Sequence, residues 1–344
     1  MARASRAAHA RRTPGAKAPL IAQVFAALAD GRFHSGEELA GKLGVSRSAV
    51  WKAAGALREL GATLHAVRNR GYRLPQSGEP LDESKIREHL PRELRERIVS
   101  IQTTWSIPST NTVLLARQNP KGGTSEVLLA EHQSAGRGRR GRTWLAPPGG
   151  AICLSLSWTF HESPQDFGAL GLVIGVCTLR ALKEQGVKHA SLKWPNDLLI
   201  AEKKLGGVLI ELRAESGGPA CVVIGIGLNV ALGAELLKEI AQTGTAATDL
   251  ASALGRTPSR NAVAAEVIAA CARGLTEFEV HGLKPFIEEW RAADMLRGRP
   301  VNVSAAEGTA KGLARGIDLH GALLIETAQG VRRFVSGDVT VRAD

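Results

Sequence analysis

The basic residues of this chain are concentrated in its first 75 positions, and this asymmetry already divides the chain into parts. Residues 1–75 carry 13 Lys/Arg against four Asp/Glu, whereas the remaining residues carry 31 against 29. A basic head on a nearly neutral body predicts that the head meets a polyanion and that the body has a separate task. A chain of 344 residues can bury the cores of two or three domains.

The head has the pattern of a winged helix-turn-helix. Apolar residues recur at helical spacing over 20–28, and a capping box of Ser35 and Glu38 predicts the start of a second helix. A third helix over 46–60 would enter the major groove, and the basic stretch 68–74 would form a wing against the phosphate backbone. The predicted DNA contacts are Ser46, Arg47, Ser48, Lys52, Arg68 and Arg70. A helical packing domain with solvated charges is the alternative.

Two segments beside the head are predicted to lack regular structure. Residues 1–18 are rich in Ala and Arg and contain no acid, which is typical of a disordered basic tail or of an organellar transit peptide, and the DNA-binding pattern favours the tail. Residues 75–80 have the composition of a linker. No apolar run reaches the ~18 to 20 residues of a membrane helix. The four cysteines are widely spaced, which predicts buried thiols in a reducing compartment, and we expect a cytoplasmic protein.

The body alternates strands and helices and predicts an α+β sheet with helices on one face. Strands are expected over 126–133, 151–160, 192–200, 205–213 and 220–230. Helices are expected over 166–185 and 260–291, the second broken near Gly282 and Pro285. From about residue 298, short strands and glycine turns predict a small β-barrel of about 45 residues.

The most unusual stretch of the body is GRGRRGRTW at 136–144. It satisfies GxGxxG formally, but a dinucleotide fingerprint needs its glycines to open a helix, and the LAPPGG that follows cannot be helical. What remains is a loop with four arginines, which suits phosphate or carboxylate recognition through forked hydrogen bonds. An anion would order such a self-repelling loop, and a solvated basic loop is the alternative.

The stretch LKWPND places Lys193 near the end of a strand, because a proline favours an extended residue before it. A lysine among apolar strand residues is costly to bury unless an anion pairs with it. Asn196 and Asp197 are suited to a sugar or a magnesium ion, with a surface hairpin as the alternative. Glycines inside the apolar stretches 204–211 and 225–230 indicate close strand packing or a planar ligand on the sheet.

These stretches resemble the family of bifunctional biotin–protein ligases and biotin-operon repressors. The matching sequences are SGEELAGKLGVSRSAVWK at 35–52, GRGRRGRTW at 136–144, KWPND at 193–197, KLGGVLIE at 204–211, GIGLNV at 225–230 and RGIDLHGALLIET at 315–327. The resemblance implies three domains after the basic tail at 1–18: a winged helix at 19–75, a class II synthetase-like catalytic domain at 81–296 and an SH3-like barrel at 297–344.

The resemblance also implies a two-step reaction. Biotin and ATP form biotinyl-5′-AMP and pyrophosphate, with Mg²⁺ expected, and the biotinyl group passes to a lysine of the biotin carboxyl carrier protein of acetyl-CoA carboxylase. The adenylate would act as corepressor by promoting homodimers that bind operator DNA. Candidate dimer surfaces are the Arg-rich loop and the turn at 201–204, and 231–249 is the expected adenylate cover, although it contains no aromatic residue.

Site residues follow from the resemblance position by position. The predicted biotin contacts are Ser109, Thr110, Asn111, Gln133, Arg137, Gly138, Arg139 and Lys193. Of these, Lys193, Arg137 and Arg139 would be catalytic. The predicted ATP or adenylate contacts are Arg142, Trp144, Asn196, Asp197 and Asn229. Asp197 is considered as a magnesium contact, and no residue is assigned as a metal ligand. The alternatives are a lipoate–protein ligase, a ligase with a non-regulatory winged helix, and a transcription factor that uses biotin only as a ligand.

Overall fold

The computed structural model describes residues 18–74, 79–162, 164, 166–213, 220–242, 246–305 and 308–341. Along the chain these residues form a helical head, a large sheet with helices, and a small C-terminal sheet. The predicted tail at 1–18, except for its last residue, and most of the predicted linker at 75–80 lie outside the described residues.

The head consists of three helices and a hairpin. Its elements are α1 Leu20–Ala27, α2 Gly36–Leu43, α3 Arg47–Glu59, β1 His65–Val67 and β2 Gly71–Arg73. The hydroxyl of Ser35 accepts a hydrogen bond from Glu38 N at 3.0 Å and starts α2, and Ser46 does the same for α3 through Ala49 N at 3.2 Å. Gly44 ends α2 in the left-handed conformation. The inward sides of the helices form a core separate from that of the body, so the predicted winged helix is confirmed.

The body contains a seven-stranded sheet in the order β3-β4-β5-β9-β8-β7-β6. The strands are β3 Ile98–Ile107, β4 Ser125–Gln133, β5 Ala151–Thr159, β6 Ala190–Lys193, β7 Asp197–Ile200, β8 Lys203–Arg213 and β9 Cys221–Asn229. The helices are α4 Glu83–His89, α5 Thr110–Leu115, α6 Leu170–Glu184, α7 Ala234–Gln242, α8 Leu250–Leu254, α9 Arg260–His281 and α10 Ile287–Ala293. β3 and β4 run parallel, and the other neighbouring strands run antiparallel.

Three expectations for the body need correction. The strand predicted at 192–200 is the hairpin β6–β7, because the chain reverses at Trp194-Pro195-Asn196, where the Trp194–Pro195 peptide bond is cis. The helices do not share one face: α6 and α9 pack on the main core, whereas Leu114 of α5 joins Leu128 and Val223 in a separate cluster on the other face. The edge strand β3 was not predicted, because its alternation of apolar and polar residues is irregular.

Other expectations for the chain agree with the structure. The helix predicted over 260–291 breaks where expected, since α9 ends before Gly282 and the helix resumes as α10. All four cysteines are buried free thiols. Within the described ranges, no helix is long and apolar enough to cross a membrane.

The C-terminal part is an antiparallel sheet of five strands. They are β10 Pro300–Ala305, β11 Gly308–Ile317, β12 Leu323–Thr327, β13 Gly330–Phe334 and β14 Asp338–Val341, in the order β13-β12-β11-β10-β14. Its loops touch the body at Trp194, whose indole N–H donates to Gly321 O at 3.1 Å. A Cβ at Gly337 would lie 3.6 Å from the same ring. The KWPND turn of the body therefore contacts the C-terminal sheet.

Candidate active site

The floor of the candidate site is the face of the sheet on which α5 lies. Gly225 and Gly227 of β9 point to this face, in alternation with core residues. A Cβ at Gly225 would lie 2.5 Å from Asn111 Oδ1, and one at Gly227 would lie 2.5 Å from the ring of Trp144. The glycines therefore make room for two side chains of the protein itself, Asn111 and Trp144, which approach the sheet closely.

The start of α5 holds a buried polar cluster. Ser109, Thr110 and Asn111 are all buried. Gln133 Oε1 accepts hydrogen bonds from Thr110 N at 2.8 Å and from Thr110 Oγ1 at 3.1 Å. Ser155 Oγ lies 2.6 Å from Thr110 Oγ1 and 2.5 Å from Asn111 Oδ1. The structure thus brings together the predicted residues and adds Ser155. This residue was not predicted, because only the fold shows that it lies on the face of the sheet that contacts α5. Such a cluster suits a ligand with several donors and acceptors.

Glu211 joins this cluster to the arginine loop. One guanidinium nitrogen of Arg137 donates to both carboxylate oxygens of Glu211, at 3.0 and 2.8 Å. Asn111 Nδ2 donates to Glu211 Oε2 at 2.8 Å. Glu211 is the last residue of the KLGGVLIE stretch, and it was not predicted as a site residue. Arg137, predicted as a biotin contact, therefore already has a carboxylate partner within the protein.

Lys193 is a half-buried cation at the end of β6, as predicted, and it faces Asp197 across the β6–β7 hairpin. Burial lowers the pKa of Lys193 and the Asp197 carboxylate opposes this, while Lys204 lowers it further. Lys193 forms no ion pair or hydrogen bond with any described residue. An ammonium that is partly removed from water and has no protein partner is suited to an anionic ligand.

The predicted nucleotide contacts of the KWPND turn have partners within the protein. Asn196 Oδ1 accepts from Arg139 at 3.3 Å, and Asn196 Nδ2 donates to Val208 O at 2.7 Å. The Asp197 carboxylate accepts from Lys204 Nζ at 2.7 Å. Lys204 Nζ also lies 6.0 Å from the centre of the Trp144 ring. Lys204 was not predicted as a site residue, although it precedes the two glycines of KLGG.

The segment expected to cover the adenylate is tied to Asn229. Its amide donates to Lys204 O at 3.3 Å and to Thr248 O at 3.0 Å, which fixes the far end of the segment expected to cover the adenylate. The described part of this segment contains α7, a helix with no buried residue. Its Leu236, Leu237 and Ile240 are only half-buried, whereas the residues between them are exposed. The segment has no aromatic residue, and it contains instead an amphipathic helix whose apolar side is only partly covered.

The arginine loop also reaches the C-terminal sheet. Gly138 N donates to Arg142 O at 2.7 Å, so the loop folds back on itself as a tight hairpin. Arg140 and Arg142 both donate to Asp338 Oδ2, at 3.0 and 2.5 Å. No local sequence signal marks Asp338, which lies almost 200 residues after the loop. A carboxylate of the C-terminal sheet therefore anchors two cations of a loop in the body.

A second candidate surface lies on the head. Arg47, Ser48 and Lys52 are exposed in the first two turns of α3, and Arg68 and Arg70 are exposed at the hairpin tip. Ser46 serves as the N-cap of α3. Within the described residues 18–74, no lysine or arginine belongs to an ion pair, because the two ion pairs there are those of His34. Trp51, 67% exposed beside Lys52, was not predicted as part of this surface.

Comparison with known proteins accounts for all three parts of the chain. Residues 22–73 match an HTH domain, 104–229 match the biotin/lipoate A/B protein ligase family, and 297–342 match the biotin protein ligase C-terminal domain. The chain is 35% identical to the bifunctional ligase/repressor BirA of Salmonella typhimurium, over 92% of this chain and 95% of that protein. It is also 35% identical to BirA of Escherichia coli K12, over 93% and 97%.

A solved structure supports the same assignment for the body and the C-terminal sheet. The biotin protein ligase from Aquifex aeolicus, solved in complex with biotin and ATP, matches with a TM-score of 0.61 and 29% identity, over 71% of this chain and 99% of that one. The matched regions follow one another along this chain in the order helix-turn-helix, ligase domain and C-terminal domain. The chain therefore belongs to the BirA family of bifunctional ligases and repressors.

Proposed function

We propose that this chain is an ATP-dependent biotin–protein ligase that also represses transcription of a biotin operon. Biotin and ATP would form biotinyl-5′-AMP and pyrophosphate, and a lysine of biotin carboxyl carrier protein would then receive the biotinyl group. The observation that carries the ligase proposal is Lys193, a half-buried ammonium beside the arginine loop that has no ion-pair or hydrogen-bond partner among the residues the structure describes. Such a cation is suited to the carboxylate and phosphate that meet in the first step.

The chemical difficulty of this reaction is that a carboxylate is a poor electrophile for an amine. In the first step, a biotin carboxylate oxygen attacks the α-phosphorus of ATP, and pyrophosphate leaves. In the second, the amine of the carrier lysine attacks the acyl carbon, and AMP leaves. Lys193 and Arg139 would stabilise the negative charge that develops on the phosphate oxygens, and the rest of the site would hold the reactants in line.

The polar cluster at α5 would hold biotin. The ureido ring of biotin offers two N–H donors and a carbonyl acceptor, which match the hydroxyl, amide and carbonyl groups of Ser109, Thr110, Asn111 and Gln133. Gly138 would let the loop backbone approach the ligand closely. We assign the adenylate to Arg142, Trp144, Asn196, Asp197 and Asn229. Trp144, on the sheet beside Gly227, has the planar surface for an adenine.

Mg²⁺ would accompany the ATP phosphates, but the described residues do not form a cage for it. They contain no group of three or more His, Cys, Asp or Glu that is suited to a metal. The Asp197 carboxylate considered for this role binds Lys204. We therefore assign no ligand of this chain to Mg²⁺ and derive no step through it.

The repressor role rests on the unpaired basic surface of the head. Net positive charge without carboxylate partners is suited to a phosphate backbone. We further propose that the adenylate is the corepressor, that it promotes a homodimer through the arginine loop and the turn at 201–204, and that the protein works in the cytoplasm. In that turn Glu202 binds Arg299 of the C-terminal part at 2.9 Å.

ATP–pyrophosphate exchange by the purified chain, with biotin or lipoate as the acid, tests the ligase proposal. Exchange that depends on biotin is the expected result. Exchange with lipoate instead would assign the chain to the lipoate side of the family, and no exchange with either acid would refute the ligase. DNA binding is then measured with and without biotin and ATP. Binding that requires both indicates a repressor that senses the adenylate, whereas a ligase with a non-regulatory winged helix would show no such dependence.

Arg47→Ala is expected to weaken DNA binding and to leave biotin ligation unchanged. Arg47 is exposed at the first turn of α3 and has no ion-pair partner among the described residues. Loss of one such contact typically costs ~1–3 kcal/mol, which is roughly a 5- to 100-fold loss of affinity. Binding is measured by fluorescence anisotropy with operator DNA, and Lys52→Ala is expected to act in the same way. Lys85→Ala in the body serves as the control, and equal affinities for Arg47→Ala and the control would contradict the assignment.

Asp338→Asn is expected to raise the KM for ATP in the exchange assay by roughly three- to fivefold, the range of an exposed ion pair. Without the carboxylate, Arg140 and Arg142 repel each other and the loop loses its anchor. Asp318→Asn, which removes a partner of Arg333 elsewhere in the same sheet, is the matched control. A lower KM for Asp338→Asn would show instead that this carboxylate competes with the phosphates.

A further inference from the structure

We propose that Phe33, in the loop between α1 and α2, is a positioning residue of the DNA interface that holds Arg70 and Arg73 together for one backbone phosphate. The inference rests on the proposed DNA binding of the head and adds Phe33 and Arg73 to the predicted contacts. The guanidinium carbon of Arg70 lies 4.2 Å from the centre of the Phe33 ring, and that of Arg73 lies 5.0 Å from it. Both distances are within the ~6 Å reach of a cation–π contact.

The wing is fastened directly to the loop that carries this ring. His34 N donates to Tyr72 O at 2.9 Å, and Tyr72 N donates to His34 O at 2.8 Å, so an antiparallel β-bridge joins the loop to the hairpin. A Cβ at Gly71 would lie only 1.9 Å from His34 O, and its φ of +93° also favours glycine. The backbone itself therefore places Arg70 and Arg73, on either side of this pairing, next to Phe33.

The loop side of this contact is also held in place. The His34 ring lies between two carboxylates, 3.0 Å from Asp30 and 2.7 Å from Glu38. This arrangement stabilises the position of Phe33 and at the same time pairs two acids close to it in sequence, Asp30 and Glu38, with His34. Neither Arg70 nor Arg73 forms an ion pair with any residue that the structure describes. Two guanidinium groups on one ring therefore remain without a counter-charge.

The chemistry of the two guanidinium groups favours an anion here. Arg73 Nε is shielded from water and has no hydrogen-bond partner within the described part of the chain, so an anion from solvent would meet Arg73 at its terminal N–H groups. Neither guanidinium group donates a hydrogen bond to a described residue, so their terminal N–H donors are available to oxygen atoms. A phosphate accepts from both groups and offsets the repulsion between them.

The neighbourhood favours a DNA phosphate as this anion. A Cβ at Gly36 would lie 3.5 Å from Arg47 Cγ and 3.6 Å from the Tyr72 ring. The first residue of the predicted recognition helix and the wing therefore meet at the start of α2 and form one continuous basic surface. Phosphate contacts of such a wing fix the protein on the duplex and do not depend on base sequence.

The test measures DNA binding of the full chain by fluorescence anisotropy, with duplex DNA of mixed sequence over a range of salt concentrations. Phe33→Leu and Arg73→Gln are each expected to weaken binding roughly three- to tenfold at low salt. Each should also reduce the slope of log K against log salt by about 1, because one phosphate contact contributes ~0.9. Arg58→Gln removes the same charge from the last turn of α3 and should leave the slope unchanged. Phe33→Tyr, which keeps a ring, should bind like the wild type.

A double-mutant cycle separates positioning from folding. Phe33→Leu should not reduce DNA affinity further in a protein that also carries Arg70→Gln and Arg73→Gln, because the ring then has no guanidinium group to position. An unchanged slope for Phe33→Leu, or a further loss in that background, would overturn the inference while leaving DNA binding by the head intact. Absence of DNA binding by the wild type at every salt concentration would refute the proposed repressor function as well.

Discussion

Lys193→Ala is expected to abolish adenylate formation while the protein stays folded. The Lys193 ammonium is partly buried and has no hydrogen-bond or ion-pair partner among the described residues. Its removal therefore leaves no orphaned partner and relieves a desolvation cost. In the reaction, however, the lost cation would face the charge that develops on the phosphate oxygens, and removal of one such stabilising group typically slows a reaction ~10²- to 10³-fold.

The measurement is biotin-dependent ATP–pyrophosphate exchange, together with thermal unfolding of the same preparation. The control is Lys188→Ala, which changes an exposed lysine two residues before β6. This variant should exchange at the wild-type rate. An active and well-folded Lys193→Ala protein would contradict the assignment of Lys193 as the catalytic cation. A protein that loses activity and unfolds early would show that Lys193 has a structural role instead.

Arg260→Met is expected to destabilise the body by about 3–5 kcal/mol, the typical cost of breaking a buried ion pair. Arg260 is 0% exposed and Glu131 is 6% exposed, and their charged atoms lie 2.9 Å apart. Arg260 also donates to Ala151 O at 2.7 Å and to Glu79 O at 3.1 Å. The substitution would leave the Glu131 carboxylate buried without a counter-charge and two backbone carbonyls without a donor.

The expected readout is a fall of roughly 10 °C in the Tm of the body, since 1 kcal/mol corresponds to about 2–4 °C in a domain of this size. Combining it with Glu131→Gln should recover part of the loss, because no unpaired charge is then buried. Arg273 lies on the same helix as Arg260 and forms an exposed ion pair with Glu93. Arg273→Met should therefore lower the stability by no more than about 1 kcal/mol. Equal Tm values for Arg260→Met and Arg273→Met would contradict the argument.

Much of the local structure could be predicted because its causes are local. The capping residues Ser35 and Ser46 lie within three positions of the backbone N–H groups that they accept from. The proline and glycines after the arginine loop exclude a helix within the same few residues. The end of β6 at Lys193 follows in the same way from the proline two positions later, although the reversal into β7 was not foreseen.

The partners of the candidate site residues could not be predicted in this way. Glu211 meets Arg137 across 74 positions and Asp338 meets Arg140 across 198, and in the sequence each is one of 33 acidic residues with no local mark. The glycines of β9 left two interpretations open, a ligand or close packing. Their neighbours in space, Asn111 and Trp144, now show that protein side chains take this room.

The sequence by itself determined the three-part organisation, the winged helix, the arginine loop and the strand end that carries Lys193, because periodicity, capping and backbone restrictions act over a few residues. Only the tertiary structure decided which charges are neutralised. It paired Asp197 with Lys204 and Asp338 with two loop arginines, and within the described part of the chain it gave Lys193 no ion-pair or hydrogen-bond partner. The physical reason is that electrostatic and packing energies depend on distance in space, and the order of strands in a sheet sets those distances, which spacing along the chain does not.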